Sequence, residues 1–495
     1  MITDTELVSQ FSIELGEDYA SAKSYVRDIP TQALVYIRSF THKLASLVAK
    51  QHQLEFIGPN LYDRIEQLNQ ARLIDVTAIR TMHKLRADGN RGAHPEKYHL
   101  TQHQLVSLAE KSIKHIIDVI KQLYPLVHQA SAPAYQFVPF DSLAGRDVCY
   151  RAMMHNDHHA QYLVAMSLKA QALMAQDQTG TQAVAPGETH NPQFNQDEMQ
   201  RLFAQAAYWF AQAAPFEHAA LYEHGVSLLH GYADFDPAKK AQYTKQGELL
   251  IAQAARHCIA DAQALLGYFY LVGSEVFGAD VEQAKLLLTQ AAEADNVEAM
   301  SNLGVLFYEA GEYQKAYVWM SKAAESGYPQ AQYHLALLLA EKLALNVGDN
   351  IDVQLEQSQI WMQEAASQGQ LDAMLHCATT ILHHEHATKA ELEQAERYLH
   401  DVIKYGHNVT AMIELSVALA DGMLGRVDVV QSAYLLQQAK LHGNDIQRQV
   451  VAPLWQSLLM QIDSVIDNHC VTALQPSEGE LAALQQAKHM LNLSS

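Results

Sequence analysis

Apolar positions recur three and four residues apart along most of this chain, and no stretch alternates as a strand would. The period predicts helices, and the fold class that follows is all-α. In the first 128 residues the helices differ from one another. From about Ala160 to Gly443 the pattern becomes self-similar, with Ala-rich helical hairpins returning every 32 to 60 residues. Seven first helices align on Ala160, Ala220, Ala262, Ala299, Ala331, Ala373 and Ala411, and five residues on each has a small residue: Ala165, Gly225, Gly267, Gly304, Ala336, Ala378 and Ser416. Fixed-period repetition of this kind predicts a right-handed α-solenoid of about seven hairpins. Small residues let antiparallel helices approach closely, and Leu, Tyr, Trp and Met fill the gaps. Gly327, Gly369, Gly406 and Gly443 fall where a helix C-cap takes positive φ.

The N-terminal region, residues 1–128, reads as a helical bundle. Pro30 opens a long amphipathic helix to about residue 52, with Leu34, Ile37, Leu44, Leu47 and Val48 on one face. Asn60 is placed to cap a second helix and Asp75 a third, which is expected to stop at Gly89-Asn90. Thr101 and Gln104 form a capping box before a last helix reaching about Tyr124. Residues 129–145, with two prolines, read as a linker, and 146–443 as the solenoid. The stretch 175–197 reads as a mobile loop between the helices of the first hairpin. Residues 444–495 read as terminal helices capping the stack.

Composition narrows the function classes. The chain of 495 residues is 49% hydrophobic and 18% charged, which is globular rather than disordered. No segment approaches a membrane-spanning apolar run, and MITDTELVSQF lacks the basic start of a secretory signal. A cytoplasmic location is the expectation. Cys149, Cys258, Cys377 and Cys470 lie far apart and read as reduced, buried thiols. Residues 1–128 carry 15 Lys+Arg against 14 Asp+Glu, whereas the remainder carries 19 against 41. The solenoid should therefore repel nucleic acid and suit a basic protein partner; any RNA contact belongs to the N-terminal domain.

The units resemble SEL-one-like repeats, relatives of the tetratricopeptide repeat, through A-x-x-x-L-G followed by K/Q-A-x-x-W/Y-x-x-x-A-A-x-x-G. Residues 299–327 fit best: AMSNLGVLFYEAGEYQKAYVWMSKAAESG. The resemblance implies a protein–protein adaptor, with a peptide or basic segment of a partner on the solenoid's concave face.

The sharpest local motif is KLRADGNRGAHP, residues 84–95. Arg86, Asn90 and His94 surround an expected Gly-Asn turn; an Arg can hold a phosphate bidentately and a His can move a proton near neutral pH. His99 and His103 follow. The region 30–124 resembles the HEPN-like domain found at the N-termini of type I restriction-enzyme R subunits, through Leu85, Arg86, Gly89, Asn90, Ala93 and His94. That resemblance implies a metal-independent RNase using Arg86, Asn90 and His94, or dimerisation through this domain. The alternative is structural: Asn90 caps the turn, His94 is buried and satisfied, and Arg86 pairs with Asp88 or Asp75. Histidine clusters at 155–159 and 376–386 lack a completed ligand set, and neither metal nor cofactor is expected. The leading reading is an interaction scaffold; the runner-up is an RNA-directed effector with the solenoid as regulator.

Overall fold

The computed structural model describes residues 2–93, 98, 100–140, 144–181, 192–232, 239–341, 351–384, 386–468 and 477–492. It is all-α, and its described residues divide into two compact units, 1–349 and 350–495. The only strands among them are Ile2–Thr3 and Tyr135–Gln136, which pair in parallel.

The first unit opens with six helices: α1 (Asp4–Phe11), α2 (Ile13–Tyr25), α3 (Pro30–Gln51), α4 (Leu61–Gln70), α5 (Val76–Ala93) and α6 (Gln102–His128). They enclose one apolar core that includes Leu34, Ile37, Phe40, Leu44, Met82 and Ile116. The expected starts hold. Pro30 occupies the first turn of α3, Asn60 Oδ1 accepts from the Asp63 N–H at 2.8 Å, and Thr101 and Gln104 form the capping box. The expected stop of α5 does not hold, because the helix continues through Gly89 and Asn90 to Ala93. The glycines there serve helix packing instead of a turn. A Cβ at Gly89 would lie 2.5 Å from Arg38 Cβ, and one at Gly92 would lie 2.2 Å from Leu34 Cβ. Residues 135–140 lie on the bundle: the Val138 N–H donates to Asp4 Oδ1 at 2.9 Å, and Phe137 and Phe140 border the core.

Next come α7 (Ala144–Met154) and four hairpins: α8 (His158–Thr181) with α9 (Pro192–Ala213), α10 (His218–Leu229) with α11 (Lys240–Arg256), α12 (Ala260–Val272) with α13 (Val281–Glu293), and α14 (Val297–Glu309) with α15 (Tyr313–Glu325); α16 (Pro329–Ala340) follows. The second unit holds α17 (Ile351–Ser367), the hairpins α18 (Leu371–Leu382) with α19 (Lys389–Gly406) and α20 (Val409–Ala420) with α21 (Val429–His442), and then α22 (Asp445–Asn468) and α23 (Glu478–Asn492). Residues 182–191, the heart of the loop expected in the first hairpin, lie outside the described residues, and 175–181 are helical.

All seven anchor alanines are fully buried. The small residue five positions on is where the second helix of the hairpin crosses. A Cβ at Gly304 would stand 2.6 Å from Met320 Cγ, and one at Gly267 would stand 2.9 Å from Leu288 Cγ. In the last hairpin Ser416 Oγ instead hydrogen-bonds Ser432 Oγ at 2.8 Å. Most second helices end in a tight left-handed corner, and glycine supplies it at Gly327 and Gly369. Cys258 (φ 60°), Asp295 (φ 65°) and His407 (φ 46°) occupy the corner elsewhere. Gly406 is the last residue of α19 and Gly443 has φ −68°, so neither takes the expected conformation. The cysteines also differ from expectation: Cys149 and Cys258 are exposed, Cys377 is half-buried, and Cys470 lies outside the described residues.

Overpacking a close crossing costs about 1–3 kcal/mol. Gly304→Leu should lower stability by that amount in urea or thermal unfolding. A second measurement concerns Asp4, fully buried and bonded by Tyr19, Lys23 and the Val138 N–H. Burial alone would raise its pKa, but the Lys23 and Tyr19 hydrogen bonds outweigh burial and hold it below the usual carboxylate range. A depressed folded pKa stabilises above about pH 4 and loses that contribution as pH falls through the folded value. Asp4→Asn should therefore flatten the loss of stability on acidification below about pH 4, measured as unfolding midpoint against pH.

Candidate functional site

The buried face of α5 presents Arg86, Asp88 and Asn90, each 1% exposed. A guanidinium out of water needs partners, because burial disfavours its charged form and pushes its pKa down. Those partners come from the repeats. Arg86 Nη1 donates to Ser326 Oγ at 2.7 Å, and Ser326 Oγ donates in turn to the Lys322 carbonyl at 2.7 Å. The guanidinium also lies 5.1 Å from the ring centre of Tyr62. Neither Asp88 nor Asp75 pairs with Arg86 as expected. Asp88 accepts from Ser112 Oγ at 2.9 Å and faces Arg91 at 3.4 Å; burial still raises its pKa. Asp75 Oδ1 accepts from the Thr77 N–H at the start of its own helix.

Asn90 caps nothing. It stands one turn after Arg86, and among the described residues neither atom of its amide has a partner; Arg86 Nε is likewise unpartnered. His94 and His99 lie outside the described residues, and His103 is exposed. The structure thus brings Arg86 and Asn90 together on one buried helix face, against the corners of two consecutive hairpins.

Asp295, at the corner after α13, is the other centre of this junction. Its carboxylate Oδ2 accepts the Leu61 N–H at 2.6 Å. Leu61 is the first residue of α4, whose leading N–H groups have no intrahelical acceptor. A carboxylate from the repeats therefore caps a helix of the bundle, in the favourable sense of the helix dipole. Arg38 Nη2 donates to the Ala294 carbonyl at 3.2 Å and sits 3.9 Å from the Asp295 carboxylate, so a cation meets the C-terminal end of α13. At the next corner Lys322 pairs with Asp63 at 2.8 Å, and Tyr98 meets Tyr328 edge-on with ring centres 6.5 Å apart. A hydrogen bond to Glu325 joins burial in raising the pKa of Tyr62. Nothing in the motif points to Asp295 or Ser326. The readable signal is the repeat alignment itself: aspartate occupies position 295 where Gly327 and Gly369 stand in later copies.

The histidines of the 155–159 cluster make other contacts. His158 stacks on Phe216 with ring centres 3.8 Å apart, and His159 faces Glu217 at 3.4 Å. Among the described residues no group of three His, Cys, Asp or Glu side chains is arranged to hold a metal ion. Nor is any described helix long and apolar enough to cross a membrane.

Residues 260–296, 297–328, 329–370 and 409–444 match the Sel1 repeat, and residues 20–135 match a domain of unknown function, DUF4145, whose description assigns no activity. Chitin synthase regulatory factor 4 of Schizosaccharomyces pombe is 29% identical over 141 residues, 28% of this chain and 20% of that protein. The putative sel1-like repeat-containing protein L21 of Acanthamoeba polyphaga mimivirus is 29% identical over 96 residues, 19% of this chain and 17% of that protein. The chain thus spans a fifth or less of the length of these curated relatives. The crystal structure of a Sel1 repeat protein from Oxalobacter formigenes aligns with 67% of this chain and 99% of its own at 19% identity, with a TM-score of 0.40. The chain carries Sel1 repeats in an all-α helical-repeat fold.

The junction should respond unequally to loss of its members. Asp295→Ala removes the α4 cap and leaves Arg86 buried without the carboxylate that most favours its charge, at a cost of about 3–5 kcal/mol. Asp295→Asn keeps an acceptor and tolerates the left-handed corner, so it should cost less. Arg86→Met removes the buried charge together with its desolvation penalty and should cost least of the three. Urea unfolding midpoints of the three variants check that order.

Proposed function

We propose that this chain is a protein-binding scaffold. Residues 1–128 form a bundle docked on the repeats, 146–443 are the binding solenoid and 444–495 close its end. One observation carries the reading: the Arg86–Asn90 face, the most chemically suggestive part of the sequence, is buried, with Arg86 against Ser326. A cation 1% exposed is not offered to a phosphate. Arg86 acts here as a docking residue, and the repeats already hold one helical domain through the corners of α13 and α15. The acidic balance outside the bundle, 41 Asp+Glu against 19 Lys+Arg, supports a basic protein partner over nucleic acid.

A second reading keeps the HEPN-type nuclease and makes the repeats its restraint. The observation in its favour is that among the described residues Arg86 Nε and the Asn90 amide, one turn apart on α5, have no hydrogen-bond partner. Buried groups left unpaired are costly and call for an explanation. In this reading the junction opens to expose them.

The two readings part on one experiment. Asp295→Lys places a cation against Arg38 and Arg86 and should release the bundle. Wild type and Asp295→Lys are incubated with a mixed RNA pool, with and without EDTA. The scaffold reading expects intact RNA throughout, and stoichiometric recovery of a protein partner with the tagged full chain. EDTA-resistant cleavage that appears in Asp295→Lys and disappears in Asp295→Lys/Arg86→Ala would replace it with the nuclease.

A further inference from the structure

In the second unit the helices α17, α18 and α19 leave a groove of about 770 Å³. That volume lies within the range of ligand pockets, about 300–1,000 Å³. Its floor is apolar or neutral, with Met362, Cys377 and Ile381, and the exposed Ile360 also lines it. Its walls carry the carboxamides of Gln359, Gln363 and Gln394, the imidazoles of His376 and His384 and the carboxylates of Glu364 and Glu391, and among the described residues no lysine or arginine lines it. The thiol of Cys377 is pushed up to about 11 by burial and stays neutral at physiological pH.

The groove is not an accident of one loop, because the repeats build a counterpart in the first unit. There α11, α12 and α13 enclose about 400 Å³. The lining positions correspond: Leu266 to Cys377 and Tyr270 to Ile381, four and eight residues after the anchor alanines, then Gln283 to Gln394 and Leu287 to Tyr398. Two differences matter. Cysteine replaces leucine and Ala387 lines the loop side where Phe277 does in the narrower groove, so the second groove is the more open. The electrostatics also invert. Among the described residues the narrow groove has Arg256 and no carboxylate, whereas the wide one has two carboxylates, two histidines and no lysine or arginine. The whole of 350–495 carries 17 Asp+Glu against 7 Lys+Arg.

We propose that the groove between α17, α18 and α19 takes a segment of a separate protein that carries lysine or arginine beside aliphatic side chains. The site rests on the scaffold reading and gives it an address. Carboxylates receive the cations, the floor receives the aliphatic groups, and the glutamine amides, each both donor and acceptor, meet the extended backbone. The charge balance excludes an anionic polymer as occupant.

The test uses the full chain and a fluorescein-labelled 12-residue peptide of alternating Lys and Leu, followed by anisotropy. Thr380→Trp fills the groove from an exposed position, and Glu364→Lys reverses one wall; Glu391 is spared because it caps α19 through Thr388. Circular dichroism verifies that both variants keep their helix content. Binding to wild type should weaken at least tenfold in each variant and at least tenfold for a Glu–Leu peptide. Equal binding by wild type and both variants would overturn the groove while leaving a scaffold that binds elsewhere on the repeats. Equal binding of a Lys–Ser peptide would overturn the apolar floor. Absence of saturable Lys–Leu binding would overturn the assignment as a whole, and recovery of a stoichiometric partner by the tagged chain would still decide the scaffold reading separately.

Discussion

Close approach of two helices at one small residue is the constraint from which the rest of the repeat region follows. Where Gly225, Gly267 or Gly304 stands, a Cβ would fall within 3 Å of the facing helix. That contact sets the hairpin crossing. The crossing places the paired alanines of the second helix in the core, as at Ala291–Ala292 and Ala323–Ala324. After those alanines the chain must turn sharply, and it does so through one left-handed residue. The turn aims its corner side chains outward, where the bundle finds them. The same logic places Gly89 and Gly92 of α5 against α3, which lays Arg86 and Asn90 along the face toward those corners.

The junction is a polar solution to a geometric problem. Helix ends carry orphan N–H and carbonyl groups, and two helical domains meeting end to side must satisfy them. Here Asp295 answers the N-terminus of α4, and Arg38 answers the C-terminus of α13. Arg86 reaches a hydroxyl already occupied with a carbonyl of its own helix. Among the described residues the result is specific but incompletely satisfied, as the Asn90 amide and Asp295 Oδ1 record. Polar interfaces of this kind are typical of domains that move relative to each other.

Much of this was legible in the residues. The seven anchors, the small partner positions and the caps at Pro30, Asn60 and Thr101 follow from local chemistry, and local chemistry decides them. Gly89-Asn90 was misleading for a physical reason: a Gly-Asn pair reads as a helix stop, yet tertiary packing on Leu34 and Arg38 overrides that preference. The corner glycines misled at Gly406 because the helix runs one residue further and His407 takes the left-handed position. The pairing of Arg86 with Ser326 was out of reach because 240 residues separate them, and no periodicity spans that distance. Only the irregularity of aspartate at a glycine position hinted that this corner has a task.

The length of that separation changes how the first unit should come apart. A bare solenoid touches only neighbouring repeats, and its stability sums from one repeat to the next. The junction ties α4 and α5 to corners 234 and 240 residues away, and so closes a ring that contains the first three hairpins. Closing so large a loop costs only logarithmically more entropy than closing a short one. Once closed, no hairpin inside the ring can open without breaking the tie or straining it. The first unit is thereby made cooperative, a block that melts together, whereas hairpins outside the ring keep the freedom of an ordinary repeat array to fray from the end.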